Sequence, residues 1–297
     1  MNIKDIHHVY FIGIGGIGMS ALARYFRFMD KEVMGYDKTE TPLTQELTGM
    51  GIAVHYDDDL KLISELHLTP KNTLVVYTPA VPNTHKELNY FLTNDFKVKK
   101  RSEVLGMITK DTFCLAVAGT HGKTTTSSIL AHLLKETGTP LTAFLGGISE
   151  DFNSNFLFEG TDYSVVEADE YDRSFLQLSP DIACITSMDA DHLDIYGDSD
   201  ALEKSFADFV QCLKPNGKLF VRSGLPIEGI TYGIEDDSDY CIRNLKIEEG
   251  AYIFDLGTPG ITLNGVRFNK PGKHNLFNGL AAFAMAVQAG SPPDGLV

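Results

Sequence analysis

No stretch of this 297-residue sequence approaches the ~18 consecutive apolar residues that a membrane-spanning helix needs, so membrane insertion is not expected. The N-terminal "MNIKDIHHVYFIGIGG" lacks a basic leader followed by an apolar segment and a cleavage site, so no secretion signal is expected and a cytoplasmic protein is the default. Cysteine is scarce. Cys114, Cys184, Cys212 and Cys241 lie far apart, three of them in apolar, strand-like contexts, which suits buried reduced thiols better than disulfides or a zinc site. Positive charge is scarce as well: 25 Lys and Arg against 40 Asp and Glu leave a net charge of −15. That field repels nucleic acid and anionic membranes, so any anionic ligand has to be held by local donors. The one dense basic run, "KVKKRSE" at 97–103, reads more simply as a solvated loop than as an anion site. His55, His67, His85 and His132 have no motif around them and are expected to be structural or exposed.

What is present reads as an α/β protein. An apolar fraction of 43% and an aromatic fraction of 10% suit a globular chain, and the length suggests two domains. "HHVYFIGIGGIGMSALARYFRFMD" describes a strand, a glycine-rich turn and a helix. "KEVMGYDK" and "NTLVVYTPAV" add strands, and "KVKKRSEVLGMIT" a short strand leading into a helix, so residues 1–106 form a βαβ-type domain with a parallel sheet. The series restarts at residue 107. "CLAVAG", "TAFLGG", "YSVVEADE" and "IACITSMD" read as strands, "KTTTSSILAHLLKETG" and "ALEKSFADFVQCLK" as helices, and together they predict a second, doubly wound domain over 107–297. From about 218 the short strands and turns suggest a small antiparallel patch, and "HNLFNGLAAFAMAVQAG" a closing helix that ends at Gly290.

Two glycine-rich turns carry the chemistry. Gly13, Gly15, Gly16 and Gly18 precede a helix, with Asp37 at the end of the next strand. Glycines let a backbone approach a pyrophosphate at a helix N-terminus, and the acid suits ribose hydroxyls; NAD, FAD, another nucleotide and a merely tight turn all remain open at this point. The second turn is sharper. Gly119, Gly122, Lys123 and Thr124 offer backbone N–H groups, an ammonium for terminal phosphates and a hydroxyl for Mg²⁺, although Val117 stands where the general GxxxxGK[ST] pattern has its first glycine. A nucleoside triphosphate is the expected ligand. Further Mg²⁺ ligands are expected at neighbouring strand ends, where Glu167, Asp169 and Glu170 follow one strand and Asp189, Asp191, His192 and Asp194 another. Ligand hardness alone favours the aspartates over His192.

"GIGGIGMSALA", "AGTHGKTTT", "EADEYDRSFLQLSPDIACITSMDADHLDIYG" and "GKHNLFNGLAA", in this order over nearly the whole chain, resemble the Mur ligase superfamily, and within it the branch that joins L-alanine to UDP-N-acetylmuramate in peptidoglycan precursor synthesis. The resemblance implies a Rossmann-like N-terminal domain that binds the UDP part of the sugar nucleotide, with Gly15, Gly16, Ile17 and Gly18 facing the diphosphate and Asp37 near the uridine. It implies a P-loop-type central domain for ATP, held by Gly119, Thr120, His121, Gly122, Lys123, Thr124 and Thr125 together with His274, Asn275 and Asn278, of which Asn275 would contact adenine. Thr124, Glu167 and His192 match the positions that hold Mg²⁺, against the oxygen-only preference. Lys123, Glu167 and His192 are the implied catalytic residues. The implied reaction phosphorylates the lactyl carboxylate with ATP, and the acyl phosphate is then attacked by the amine of L-alanine. Phe206 stands where several relatives carry a carbamylated lysine, with Lys204 two residues earlier, which favours the alanine-adding branch. The family's C-terminal domain would begin about where "SPPDGLV" ends, so the expectation is a chain of two of the three domains that binds nucleotides with little ligation on its own. A nicotinamide-dependent oxidoreductase and a non-catalytic binder of the muramyl precursor and ATP are the alternatives.

Overall fold

The computed structural model describes residues 3–64, 66–189 and 199–297. The chain divides into two compact units, Met1–Ile108 and Thr109–Val297.

The first unit contains β1 (His8–Ile12), α1 (Ile17–Phe28), β2 (Glu32–Tyr36), α2 (Pro42–Gly49), β3 (Ala53–His55), α3 (Leu60–Ser64), β4 (Thr73–Tyr77), α4 (Lys86–Thr93) and β5 (Lys97–Lys100). The strands order as β3-β2-β1-β4-β5 with every pairing parallel. β1 lies in the middle of the sheet, and its Val9–Ile12 run is buried, the continuous apolar reading expected of a parallel strand covered on both faces. Ile12, Val75, Leu88 and Phe91 share one core, and each such side chain contributes ~1.5–3 kcal/mol on burial. Helix starts are fixed by capping. Thr41 and Thr44 form a reciprocal capping box at α2 with Pro42 in its first turn. At α4 the Asp58 carboxylate accepts from the Lys86 and Glu87 amides at 3.0 and 3.1 Å, while His85 Nδ1 accepts from Leu88 N.

α5 (Arg101–Asp111) leads into the second unit, which comprises β6 (Phe113–Ala118), α6 (Lys123–Glu136), β7 (Leu141–Ser149), β8 (Ser154–Phe158), β9 (Tyr163–Glu167), β10 (Ile182–Ile185), α7 (Ser199–Val210), β11 (Lys218–Arg222), β12 (Ile230–Ile234), β13 (Tyr240–Glu248), β14 (Ala251–Gly257), β15 (Thr262–Phe268) and α8 (Lys273–Gln288). Its ten described strands form one sheet, β15-β14-β13-β12-β11-β10-β6-β9-β7-β8. α6 and α8 pack against each other and supply Leu130, Leu134, Leu276 and Leu280 to the core beneath β6, β9 and β10.

The region after 218 differs from the expected patch in two ways. β11 pairs parallel with β10, because α7 provides the crossover that returns the chain, and β12 and β13 also add in parallel. Only β13-β14-β15 is antiparallel, and it continues the main sheet. The hairpin between β13 and β14 turns at Glu249 and Gly250, with φ of 51° and 80°, the two left-handed residues of a tight turn that matches strand twist. β8, which pairs antiparallel with β7 at the opposite edge, had no expected counterpart. The four cysteines are free thiols, three buried and Cys212 half-buried, as their apolar settings suggested.

Candidate functional site

In the second unit β6 lies between β10 and β9, and the three C-terminal ends converge on one site. The loop after β6 is shaped by its glycines. Gly119 has φ +132°, and a Cβ there would press on Thr186 and on Ser187 N at 2.8 Å; Gly122 has φ +84°, and a Cβ there would meet Asn278 Oδ1. Gly122 begins α6 without a side-chain cap, so the first-turn N–H groups over Lys123, Thr124 and Thr125 are left for an anion. The loop is fastened from β10: Thr120 Oγ1 and Ser187 Oγ share a hydrogen bond at 2.9 Å, His121 N donates to Ser187 Oγ at 2.8 Å, and Thr186 Oγ1 donates to the His121 carbonyl. The His121 side chain is exposed, with Nε2 3.9 Å from an Asp189 carboxylate oxygen.

Glu167, which ends β9, and Glu170, three residues later, each serve a different loop residue. Glu167 accepts from Thr124 Oγ1 at 2.9 and 3.0 Å and from Gly146 N at 2.8 Å. Burial raises its pKa above the usual carboxylate range, against the lowering effect of those two hydrogen bonds. Glu170, 1% exposed, grips the Lys123 ammonium at 2.9 and 3.0 Å, and Lys123 also donates to the Gly119 carbonyl at 2.7 Å. A hydroxyl and a half-buried carboxylate in contact are the hard oxygen donors that Mg²⁺ takes, and a cation there would relieve the cost of desolvating Glu167, so the residues fit the ion. His192, the third expected ligand, lies outside the described residues, as do Asp191 and Asp194. Glu170 as the lysine's partner, the Gly146 amide and the Thr186–Ser187 clasp were not foreseen; the sequence signals were the last acid of "EADE" and a hydroxyl pair directly after an apolar strand.

The closing helix contributes unevenly. Asn278 is buried, accepts from Thr126 Oγ1 at 3.3 Å and abuts Gly122, so it shapes the loop from behind. Asn275 Nδ2 donates to the Pro271 carbonyl at 2.6 Å, and His274 is exposed.

The first unit holds a separate cavity of about 560 Å³, lined by Gly15, Gly16, Tyr36, Asp37, Asp58 and His85 among others. Asp37 Oδ2 accepts from Gly15 N at 2.7 Å, and a Cβ on Gly15 would meet Thr44 at 2.7 Å and Asp37 at 3.0 Å. Asp37 and the glycine turn are thus locked together at the cavity. α1 starts after Gly16 with no side-chain cap, again leaving amides for an anion. Ile17 and Gly18 are not among the lining residues; Gly18 lies against Arg101, whose guanidinium a Cβ would meet at 2.9 Å.

A family model described as the Mur ligase middle domain matches residues 117–286, and one described as Mur ligase family, catalytic domain, matches 8–112. UDP-N-acetylmuramate–L-alanine ligase of Flavobacterium psychrophilum is 59% identical over 296 residues, which is 100% of this chain and 66% of that protein; the ligase of the same name from Flavobacterium johnsoniae is 56% identical over the same shares. The chain therefore spans 66% of the length of these relatives. Among solved structures, UDP-N-acetylmuramate:L-alanyl-gamma-D-glutamyl-meso-diaminopimelate ligase from Neisseria meningitides superposes with a TM-score of 0.84 at 25% identity, covering 98% of this chain and 97% of that one. UDP-N-acetylmuramate-alanine ligase from Thermotoga maritima does so with a TM-score of 0.78 at 26% identity, covering 97% and 67%. With both units matched and the strand-end site in place, the chain belongs to the Mur ligase family.

Proposed function

We propose that the chain supplies the two nucleotide-binding units of an ATP-dependent ligase that joins L-alanine to the lactyl carboxylate of UDP-N-acetylmuramate. The observation that carries this reading is the pairing of Lys123 with Glu170 and of Thr124 with Glu167 at one phosphate loop, in a chain whose whole length aligns with 66% of the length of alanine ligases at up to 59% identity. The Neisseria neighbour is named for a tripeptide acceptor, and its 25% identity gives it less weight than the alanine ligases.

A carboxylate does not condense with an amine at neutral pH, because oxide is a poor leaving group. In the proposed reaction the lactyl carboxylate oxygen attacks the γ-phosphorus of ATP and ADP leaves. The amine of L-alanine then attacks the acyl carbon, phosphate departs and the amine loses its proton. Lys123 and the free first-turn amides of α6 offset the charge that spreads over the phosphoryl oxygens. Thr124 and Glu167 would hold Mg²⁺, with His192 as the third expected ligand, and the bound ion supplies charge neutralisation at the β and γ phosphates. Glu170 keeps the ammonium aimed across the loop. The glycine turn of the first unit and Asp37 would hold the UDP moiety, in the place a nicotinamide cofactor would take under the alternative reading.

Calorimetric titration tests the reading. UDP-N-acetylmuramate and Mg²⁺-ATP are each expected to bind with one-to-one stoichiometry, and NADH to give no heat. Lys123→Ala is expected to weaken ATP by tenfold or more while leaving the sugar nucleotide unaffected; the variant paired with Glu170→Gln guards against a fold lost to an uncompensated buried carboxylate. Failure of both nucleotides to bind the wild-type chain would sink the assignment.

A further inference from the structure

Beside the cavity of the first unit lies a cluster that the proposed function leaves unused. Tyr10 on β1, His55 on β3 and Glu87 on α4 meet there, with Tyr10 and Glu87 fully buried. Tyr10 Oη is 2.8 Å from Glu87 Oε2 and 2.7 Å from His55 Nε2, and that nitrogen is 3.4 Å from Glu87 Oε1. The other ring nitrogen, His55 Nδ1, is 3.0 Å from the Asp57 carbonyl. A carbonyl can only accept, so Nδ1 carries a proton.

The remaining protons can be counted. Both short contacts of Tyr10 Oη require a hydrogen, and the phenol owns one. With Glu87 ionised and His55 neutral, the buried carboxylate and the half-buried imidazole compete for a single O–H, and one short contact sets lone pair against lone pair. One additional proton satisfies both. Placed on Glu87, it is donated to Tyr10 Oη while the phenol donates to His55 Nε2; placed on His55, it is donated to Oη while the phenol donates to Glu87. Both arrangements are neutral, and they interconvert by moving two protons along the same line. Glu87 Oε1 has no hydrogen-bond partner, which suits the C=O of a neutral acid.

We infer that Tyr10, His55 and Glu87 hold one shared proton, and that the neutral cluster positions the α4 side of the nucleotide cavity. Glu87 sits in the first turn of α4, beside His85 and beside the amides that Asp58 caps, and both His85 and Asp58 line the cavity. The Tyr36 ring, which also lines it, lies 4.5 Å from the His85 ring and 5.7 Å from that of His55. Burial pushes Glu87 up to about 7 against the lowering effect of the Tyr10 hydrogen bond, with Asp58 and Asp59 also raising it, and burial lowers His55 and His85. The other titratable or charged groups on the surrounding elements are His8 on β1, paired with Glu32 on β2, Tyr36 on β2, Asp57 after β3, which raises His55, Tyr77 on β4, Lys86 and Tyr90 on α4, Lys61 on α3, and Lys97, Lys99 and Lys100 on β5, where Lys99 is paired with Glu103. Among the described residues no lysine or arginine pairs with Glu87. The positioning role rests on the reading of this cavity as the UDP site; the proton count does not.

Glu87→Gln keeps the shape and supplies fixed N–H donors in place of the shared proton, so it separates the two claims. A carboxyl raised in the folded state stabilises below its unfolded value and loses that stabilisation as pH rises through the folded value. Amide exchange of β1 and α4 peptides in the ligand-free protein is therefore expected to show wild-type protection, relative to E87Q at the same pH, falling by up to tenfold per pH unit from pH 5.5 to about 7. A ratio constant within twofold from pH 5.5 to 8 overturns the shared proton. Should E87Q fail to fold, the side-chain ¹³C shift of Glu87 and ¹⁵N shifts of His55 in the wild type read the same proton, and ionised Glu87 beside neutral His55 at pH 6 overturns it. With UDP as the probe, the affinity of the wild type relative to E87Q is expected to fall at least threefold between pH 6 and 8; an unchanged ratio overturns the positioning role. Absence of UDP binding to the wild type at pH 6 overturns the cavity assignment and the positioning role together, while the exchange data still decide the proton.

Discussion

A methyl group at position 146 would sit 2.6–2.7 Å from the carboxylate of Glu167, whereas one at 147 would meet only the Thr124 methyl at 3.6 Å. Gly146→Ala is therefore expected to push Glu167 off Thr124 and weaken Mg²⁺-ATP about tenfold, or ~1.4 kcal/mol, with Gly147→Ala within twofold of the wild type; equal effects in titration would remove the steric argument. This scale also shows what the sequence could reveal about the site. Lys123 and Thr124 were legible because a strand, a glycine turn and a helix are contiguous in the chain. Glu167 was legible as an acid at a strand end, but its division of labour with Glu170 was not. Which acid reaches the hydroxyl and which the ammonium depends on how β9 lies beside β6, across separations of 43 and 47 residues.

At the scale of elements, local chemistry fixes starts and turns. Thr41 N and Thr44 Oγ1 are hydrogen-bonded at 2.8 Å, and Thr44 N donates back to Thr41 Oγ1 at 3.3 Å. Thr41→Ala is expected to cost about 1 kcal/mol, read as a lower urea midpoint with unchanged slope; an unshifted midpoint would show the box to be redundant with Pro42. Element types along the doubly wound stretches followed from apolar runs and glycine punctuation. Strand direction after residue 218 did not, because short alternating strands look alike whether the neighbour runs parallel or antiparallel. The helix α7 between β10 and β11 returns the chain so that β11 adds in parallel, and that pairing is decided in space, not in the strand's own sequence. β8 escaped for a related reason: its five residues "SNFLF" carry a signal only when β7 is beside them.

At the scale of the whole molecule, each unit has its own sheet and core, and each carries its own candidate ligand site. A saturating ligand stabilises the unit that binds it by about 2.7 kcal/mol at a hundredfold excess over Kd. UDP-N-acetylmuramate is therefore expected to raise exchange protection in residues 1–108 and Mg²⁺-ATP in 109–297, measured on one sample with each ligand in turn; protection of the opposite unit would reverse the site assignment. The net charge of −15 means that an anionic ligand needs local donors, and the uncapped starts of α1 and α6 offer them for the two proposed nucleotides. The sequence by itself determined the α/β class, the two glycine turns that open helices, and the family, because these reside in contiguous patterns whose physics is local. Only the tertiary structure decided that Glu170 restrains Lys123, that Gly18 faces Arg101, and that His55, which no motif marked, meets Tyr10 and Glu87. Such contacts join residues tens of positions apart, and burial, which sets their protonation and strength, is a property of the packed chain.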